Sequence, residues 1–507
     1  MTPGLRPARG RAAWLAAGAA VFAVALAFSA ASGFGTADES WYLRVIARTL
    51  AGDVLYRDTF LGVTPLSVFL VAPLAALFGT EILVVKAAVA LCFAASVLTG
   101  CAICRRLGAG WGATLVFGAS LFAYLLPGLT RMGAPYSPLA VALLLGCFAL
   151  ALRWAAGTRA EGRVLAAAGA LAGLCFMAKQ NMGVYALAAL VAAVVFAGPA
   201  GGRGALRRTA VVAVSFAGVV VLAAVPVVAS GGLEALVDYG FTGKGTYLRA
   251  GRISFFGEVA ELLRLVAAPS PRLLLQHQFA LPFLAFPVML AAWIGAEPGR
   301  RKRATIVLLF AGAGFLGVFP RADATHLAIG TPFLLLGVVH GWRELRLRGR
   351  APRAAAAGAA AWVAILLAAT LSVPARRLVS GRFEVSELPH FRGVVVVRGQ
   401  SRESLLRAGE LARSAPGGEI LLLSPRAGFY YLLTGLENPT PYDYPLSTTF
   451  GSGGQARVEA MIRRGRIRTA CLDPATPPGL RPEGVERAVR RHLRFSHRTG
   501  LCAVYRS

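Results

Sequence analysis

Long apolar runs separated by short polar segments dominate the chain up to about residue 375. The runs are about 17–25 residues long, which is the length that a helix needs to cross the hydrocarbon core of a bilayer. Helices satisfy their own backbone hydrogen bonds in lipid, so the pattern predicts about eleven helical spans. The predicted spans cover residues 12–31, 82–104, 112–128, 137–155, 163–178, 182–198, 208–229, 278–296, 304–319, 327–341 and 355–373.

The first long loop, residues 32–81, contains two shorter apolar segments. Residues 41–50 alternate apolar and basic side chains with a helical period, which predicts a short amphipathic helix. Residues 65–79 form a second apolar segment. This segment is short for a span, so we expect it to lie in the membrane interface.

The pattern changes after residue 375, where arginine becomes dense and the apolar runs shorten. Four short apolar runs predict strands and alternate with segments of helical period, which indicates a small α/β domain with a mainly parallel sheet. The predicted strands are 394–397, 419–423, 467–472 and 501–505, and the predicted helices are 401–413, 455–464 and 482–493. The fold class is therefore mainly α: a polytopic helical membrane domain, 1–375, followed by an α/β domain, 376–507.

Charge sets the predicted orientation. The chain has 53 Lys+Arg against 24 Asp+Glu, for a net charge of +29. Such a charge could indicate nucleic-acid binding, but the arginine clusters fall between alternate apolar runs, as the positive-inside rule describes. We therefore expect no nucleic-acid partner. With the N-terminus in the cytoplasm, the loop 32–81 and the domain 376–507 lie outside.

Cysteine usage adds little. Cys101 and Cys104 have CxxC spacing, but they lie in an apolar run and are interpreted as small apolar side chains. Cys471 and Cys502 could pair if the last domain lies outside the cytoplasm.

An acidic pair, Asp38-Glu39, follows the first predicted span directly. Two adjacent carboxylates beside a bilayer are costly unless they are paired, hydrated or functional. A carboxylate at this boundary could take a proton from an acceptor hydroxyl, which makes Asp38 a candidate general base. Capping of the following helix is the structural alternative, since acidic residues suit a helix start.

Other polar residues occur at the same predicted depth. Lys179, Arg321, His326 and Arg131 could hold a phosphate group, because cations and their hydrogen bonds stabilise it. The structural alternatives are a snorkelling lysine, a local Arg321–Asp323 ion pair and a histidine bonded to backbone. Further candidates are Asp58, Tyr42, Asp323, Gln180 and the segment Tyr442-Asp443-Tyr444. A loop salt bridge is the alternative for Asp58, and a packed loop is the alternative for the segment.

These residues together resemble the GT-C membrane glycosyltransferases, especially the family 39-like group, which includes protein mannosyltransferases and the aminoarabinose transferase of lipid A. The loop 32–81 resembles their first outer loop, and Arg321-x-Asp323-x-x-His326 resembles an Arg/Asp/His motif of many bacterial members. The stretches that carry the resemblance are Asp38-Glu39, the helix with Tyr42, 52–58, Thr64-Pro65-Leu66, Phe78-Gly79, 172–180, 321–326, 428–435 and 438–440.

The resemblance implies an enzyme of a bacterial inner membrane that uses a polyprenyl-phosphate-linked sugar and a glycan, lipid or protein acceptor. Asp38 would be the catalytic base and Glu39 a neighbour that shapes the site or contacts the acceptor, with inversion at the anomeric carbon. Some relatives hold a divalent metal near this pair and others need none. No metal-ligand spacing is evident here. Val63-Thr64-Pro65 replaces the Lys-Pro-Pro of the lipid A enzyme, which argues against aminoarabinose.

Two other classes of function remain alternatives. A transporter or flippase for a lipid-linked glycan would need charges near the membrane midplane and, often, repeated halves. The charges here cluster at the outer rim, and no repeat is evident. A non-catalytic envelope assembly protein would use residues 376–507 as a docking module.

Overall fold

The computed structural model describes residues 7–198, 202–244, 253–268, 270, 274, 276–345 and 350–507. Its first part is almost entirely helical. The helices are α1 Pro7–Ala31, α2 Asp38–Leu50, α3 Leu66–Phe78, α4 Ile82–Arg106, α5 Trp111–Met132, α6 Tyr136–Ala155, α7 Glu161–Ala178, α8 Gln180–Ala197, α9 Gly202–Ala229, α10 Leu233–Gly240, α11 Phe255–Ala267, α12 Phe286–Ile294, α13 Pro298–Leu316, α14 Ala324–Glu344 and α15 Arg350–Val379, with 3₁₀ turns at Thr242–Lys244 and Gln278–Ala285.

Each of the eleven predicted spans coincides with helical structure, and within the described residues nine helices are long and apolar enough to cross a membrane. The other two predicted spans differ for local reasons. The span predicted at 278–296 is divided into a 3₁₀ segment, Gln278–Ala285, and α12. Pro282 lies within the 3₁₀ segment and Pro287 in the first turn of α12. A proline lacks the amide needed to continue a helical hydrogen-bond ladder. Helix α13 has four consecutive basic residues, 300–303, near its start, and they lower its hydropathy.

Small residues bring the spanning helices close together. Gly169 and Gly173, one turn apart on α7, face the α9 backbone at Val212 and Phe216, where an added Cβ would collide with carbonyl oxygens. Van der Waals contact between closely spaced backbones is a main source of helix association in lipid. The α7–α9 pair therefore depends on glycine at both positions.

The C-terminal region forms two small sheets, flanked by α16 Gln400–Arg413, α17 Ala427–Thr434, α18 Gly454–Arg463, a 3₁₀ turn at Pro478–Leu480 and α19 Glu483–His492. Strands β1 Phe383–Val385 and β2 Val395–Val397 form an antiparallel pair. The second sheet has the order β3-β4-β6-β5, from β3 Leu421–Leu423, β4 Thr469–Leu472, β5 Arg494–Arg498 and β6 Ala503–Arg506.

The prediction of a mainly parallel sheet was wrong. Only β3 and β4 run parallel in the larger sheet, whereas β4–β6 and β5–β6 are antiparallel. The sequence pattern missed β5 because its residues, Arg494–Arg498, are largely exposed and polar. A strand without an apolar face gives no period-2 signal, so the β5–β6 hairpin could not be anticipated.

A disulfide joins Cys471 to Cys502, whose Cα atoms are 5.7 Å apart. Cys471 lies on β4 and Cys502 directly precedes β6, the neighbouring strand. The structure thus contains the Cys471–Cys502 pair that the sequence allowed for a domain outside the cytoplasm.

The loop 32–81 and the C-terminal region share one hydrophobic core. Gly428 on α17 packs directly on the α2 backbone at Trp41, where a larger residue would collide. Arg48 on α2 forms an ion pair with the buried Asp443 at 2.9 Å and donates to the Asp58 carbonyl at 2.7 Å. The Gly428 and Asp443 contacts fix both ends of α2 against the C-terminal region. On α3, Leu70, Leu74, Leu77 and Phe78 are exposed; its position in the membrane interface stays a prediction.

Candidate active site

The acidic pair opens helix α2, and its two carboxylates face different surroundings. Consecutive helical residues point about 100° apart, so Asp38 and Glu39 cannot share one face. The side chain of Asp38 is exposed, whereas Glu39 is only 4% exposed. Only Asp38 is therefore accessible to a substrate.

Glu39 forms a buried ion pair. Its Oε1 lies 2.7 Å from Lys86 Nζ on α4, and its Oε2 accepts the Gly35 amide at 2.8 Å. Lys86 Nζ also donates to Ser29 Oγ on α1 at 3.4 Å. Burial raises the pKa of Glu39, while the charge and hydrogen bond of Lys86 oppose the shift. Glu39 thus ties α2 to α1 and α4, and its role in catalysis stays a prediction.

The Asp38 side chain is accessible to solvent, but protein atoms surround most of it. The Tyr444 hydroxyl is within hydrogen-bonding reach of its carboxylate, and Arg321 and His326 are near enough for their charges to act on it. Tyr444 is held by stacking on Trp41, with ring centroids 5.5 Å apart. Burial raises the pKa of Asp38, whereas Tyr444, Arg321 and His326 each oppose that rise.

Arg321, Asp323 and His326 form a linked group at the start of α14. Asp323 caps the helix, because its Oδ1 accepts the His326 amide at 2.9 Å and His326 Nδ1 at 2.8 Å, while its Oδ2 accepts Arg321 Nε at 2.6 Å. Burial raises the pKa of Asp323, but these bonds and charges outweigh it and hold the pKa well below its usual range. A carboxylate only accepts, so Nδ1 of His326 carries a proton.

The local Arg321–Asp323 ion pair is therefore present, and it leaves the Arg321 side chain 41% exposed. An arginine bound through Nε still has two terminal NH₂ groups as donors. The Arg321 guanidinium can consequently bind a second anion without leaving Asp323.

Lys179 lies at the break between α7 and α8, where its backbone is extended. Its Nζ donates to Ser137 Oγ at 3.1 Å, and its charge acts on His326. The neighbouring Gln180 is turned away and donates to the Gly240 carbonyl at 2.8 Å. The structure thus brings Asp38, Tyr444, Arg321, His326 and Lys179 into one cluster.

Other candidates lie outside this cluster. Asp58 pairs with the adjacent Arg57 at 2.8 Å, and that hydrogen bond lowers its pKa. Tyr42 is fully buried beside Ser67. Arg131 lies in the last turn of α5, but its side chain is outside the described part of the structure.

The sequence pattern missed one residue that supports this site, Lys86, and indicated another, Tyr444, only weakly. Lys86 stood inside an apolar run, and a charge at such a position needs a partner; that signal could have pointed to Glu39. Tyr444 belonged to a candidate segment, but its contact with Asp38 depends on tertiary structure.

The residues around Asp38 do not form a set of metal ligands. Among the described residues, no group of three His, Cys, Asp or Glu side chains could hold a metal ion. Asp38 has cations and a tyrosine hydroxyl as neighbours instead. A metal cation would be repelled by these positive neighbours, so the residues present do not fit one.

Comparison with solved structures identifies the fold. ArnT from Cupriavidus metallidurans bound to undecaprenyl phosphate superposes with a TM-score of 0.56 and 16% identity, over 99% of this chain and 98% of ArnT. The chain has the GT-C fold. The apo structure of the same ArnT gives a TM-score of 0.52 at 16% identity over 98% of each chain. The two superpositions confirm the fold that the sequence resemblance implied. They also confirm the predicted polytopic architecture.

A weaker similarity extends to the archaeal oligosaccharyltransferase AglB from Archaeoglobus fulgidus in complex with an inhibitory peptide and a dolichol-phosphate. Its TM-score is 0.48 and its identity 13%, over 90% of this chain and 69% of AglB. No protein-family model matches the sequence, and no curated protein matches it.

Proposed function

We propose that the protein is a membrane glycosyltransferase that moves a sugar from a polyprenyl-phosphate donor to an acceptor outside the cytoplasm. One observation carries the proposal: the accessible carboxylate of Asp38, which follows the first spanning helix, lies beside Arg321 and His326. A base and a group of cations in one recess suit a reaction that removes a proton and releases an anion. The GT-C fold, shared with an ArnT that was solved with undecaprenyl phosphate, supports the choice of donor.

In the proposed reaction, an acceptor hydroxyl attacks the anomeric carbon of the donor sugar. The new bond joins the acceptor oxygen to that carbon, and the bond from the carbon to the phosphate oxygen breaks. The proton of the hydroxyl passes to Asp38, and the lipid phosphate leaves with the bonding electron pair. Tyr444 orients the Asp38 carboxylate through its hydroxyl.

The leaving phosphate gains negative charge as its bond breaks. Lys179 and the exposed part of Arg321 would stabilise this charge, and His326 would add a donor from its second ring nitrogen only in its charged, doubly protonated form. Such stabilisation accelerates the reaction because it is stronger in the transition state than in the bound donor.

In the proposed orientation, the Asp38 site and residues 376–507 lie on the outer side of a bacterial inner membrane. The disulfide Cys471–Cys502 supports this side, since disulfides persist in oxidising compartments. The arginine clusters of the predicted cytoplasmic loops support the same orientation.

The Tyr444→Phe variant should shift the pH dependence of transfer. The Tyr444 hydroxyl favours the charged form of Asp38 and so lowers its pKa; its removal should raise that pKa. The base works only when deprotonated, so the acidic limb of kcat/KM should move to higher pH. Tyr442→Phe is the matched control, because the Tyr442 hydroxyl contacts Arg457 at 3.1 Å instead. An unmoved limb in Tyr444→Phe would contradict the contact.

The Lys179→Met variant should weaken binding of polyprenyl phosphate, the released product, about tenfold, since a hydrogen bond to a charged group is worth about 1.5–3 kcal/mol. Competition of unlabelled polyprenyl phosphate with labelled lipid on purified protein measures this affinity. Lys302→Met is the control, because Lys302 lies over Trp154, 4.6 Å from its ring centroid. Equal affinity in wild type and Lys179→Met would exclude Lys179 from the phosphate site.

A further inference from the structure

A polar cavity of about 640 Å³ lies between the loop that enters α2 and the C-terminal region. Thr36, two residues before Asp38, lines it on one side, and residues of α16 and α17 line it on the other. Its volume falls within the range of small-molecule sites, about 300–1,000 Å³. Asp38 is not among its lining residues, so the cavity is a neighbour of the proposed reaction centre.

One face of α16 supplies much of the lining. Gln400, Glu403, Ser404 and Arg407 follow each other at the three- and four-residue spacing of a single helix face. All four side chains can form hydrogen bonds. This face is therefore suited to a ligand rich in hydroxyl groups.

The charged residues of the cavity favour an anion. Arg398, Arg407 and Arg426 line it, against the single lining carboxylate of Glu403. Arg407 pairs with Glu403. Arg398 is exposed and, within the described residues, its side chain has no ion pair or hydrogen bond. One guanidinium is thus uncompensated.

The cavity is also held in shape before any ligand binds. Arg426 is fixed by Asp473 at 2.8 Å, and Asp473 is fully buried and accepts a further bond from Ser424 Oγ. The turn before α16 is fixed at Gly399, whose amide donates to Glu384 Oε1 at 3.2 Å. A preorganised site loses less entropy on binding.

We propose that this cavity binds an acidic carbohydrate segment of the acceptor, through a carboxylate or phosphate group held by Arg398 and Arg407. Arginine matches both groups because its planar fork donates two parallel hydrogen bonds. Ser404, Gln400 and Thr36 would bind the sugar hydroxyls. The assignment to the acceptor rests on the proposed function, whereas the binding of an acidic sugar does not.

The test measures binding of three probes to the full-length protein in detergent by calorimetry: trigalacturonic acid, a phosphorylated mannotriose and neutral maltotriose. We expect at least one acidic probe to bind ten or more times tighter than maltotriose. Arg398→Gln should reduce that preference to about the maltotriose level. Arg402→Gln is the matched control, because Arg402 is exposed four residues further along, on α16, and does not line the cavity.

The choice of probes and variants separates the acidic-sugar site from the proposed transfer reaction. Tighter binding of the uronate or of the phosphorylated probe identifies which anion the arginines select. Asp38→Asn should retain the preference, because Asp38 does not line the cavity. A wild-type protein that binds an acidic probe but transfers no sugar would support the cavity's ligand while the proposed reaction failed. Equal binding of acidic and neutral probes, or a preference unchanged in Arg398→Gln, would overturn the inference. Matching unfolding temperatures of Arg398→Gln and wild type would show that the variant folds.

Discussion

Sugar transfer by the Asp38→Asn variant is expected to be about 10²–10⁴-fold slower than that of wild type, which is the usual contribution of a general base. Asparagine has nearly the same shape and can still accept a hydrogen bond from Tyr444, but it cannot take a proton from the acceptor. The Glu39–Lys86 ion pair does not involve the Asp38 carboxyl group, which is the group that changes. The loss should therefore appear in the rate and not in the fold.

The measurement compares initial rates of both proteins at equal concentration with saturating donor. Glu387→Gln is a matched control, because Glu387 is an exposed carboxylate in the C-terminal region. It should transfer sugar at the wild-type rate. A wild-type rate in Asp38→Asn would remove Asp38 as the base.

The Glu39→Gln variant is expected to lose about 3–5 kcal/mol of folding free energy, the usual cost of leaving one partner of a buried ion pair alone. Both side chains are almost fully buried, with the Lys86 and Glu39 side chains 3% and 5% exposed. Lys86 would then keep a charge near the start of α4, a spanning helix, without a counter-ion. Thermal unfolding in detergent measures the loss.

A double variant separates the ion pair from other causes. Glu39→Gln combined with Lys86→Met removes both charges, and replacing a whole buried pair is often close to neutral. The double variant should recover most of the lost stability. A Glu39→Gln protein as stable as wild type, or a double variant less stable than the single one, would contradict the structural role of the pair.

The membrane architecture could be predicted from the sequence because span length and the positions of arginine are local signals. Spans were predicted less accurately where charge or proline interrupts the apolar run, as in α13 and at Pro282. It failed at β5, whose exposed polar residues form a strand only because β6 provides the hydrogen-bonding partner.

The candidate site was predictable only in part. Asp38 and the group Arg321–Asp323–His326 stand out because each is a short polar cluster after an apolar run. The contacts of Tyr444 with Asp38 and of Lys86 with Glu39 join residues that are distant along the chain. Such contacts follow from how the C-terminal region packs on α2, which no local pattern encodes.

The central claim is that Asp38 serves a reaction that releases a lipid phosphate. The most direct test supplies purified wild-type protein in lipid vesicles with a panel of radiolabelled polyprenyl-phosphate sugars and an extract of envelope acceptors. We expect one donor to give labelled acceptor with one polyprenyl phosphate released per sugar, and neither product with Asp38→Asn. Labelled donor that crosses the vesicle membrane intact, with no polyprenyl phosphate released from any member of the panel, would contradict the account.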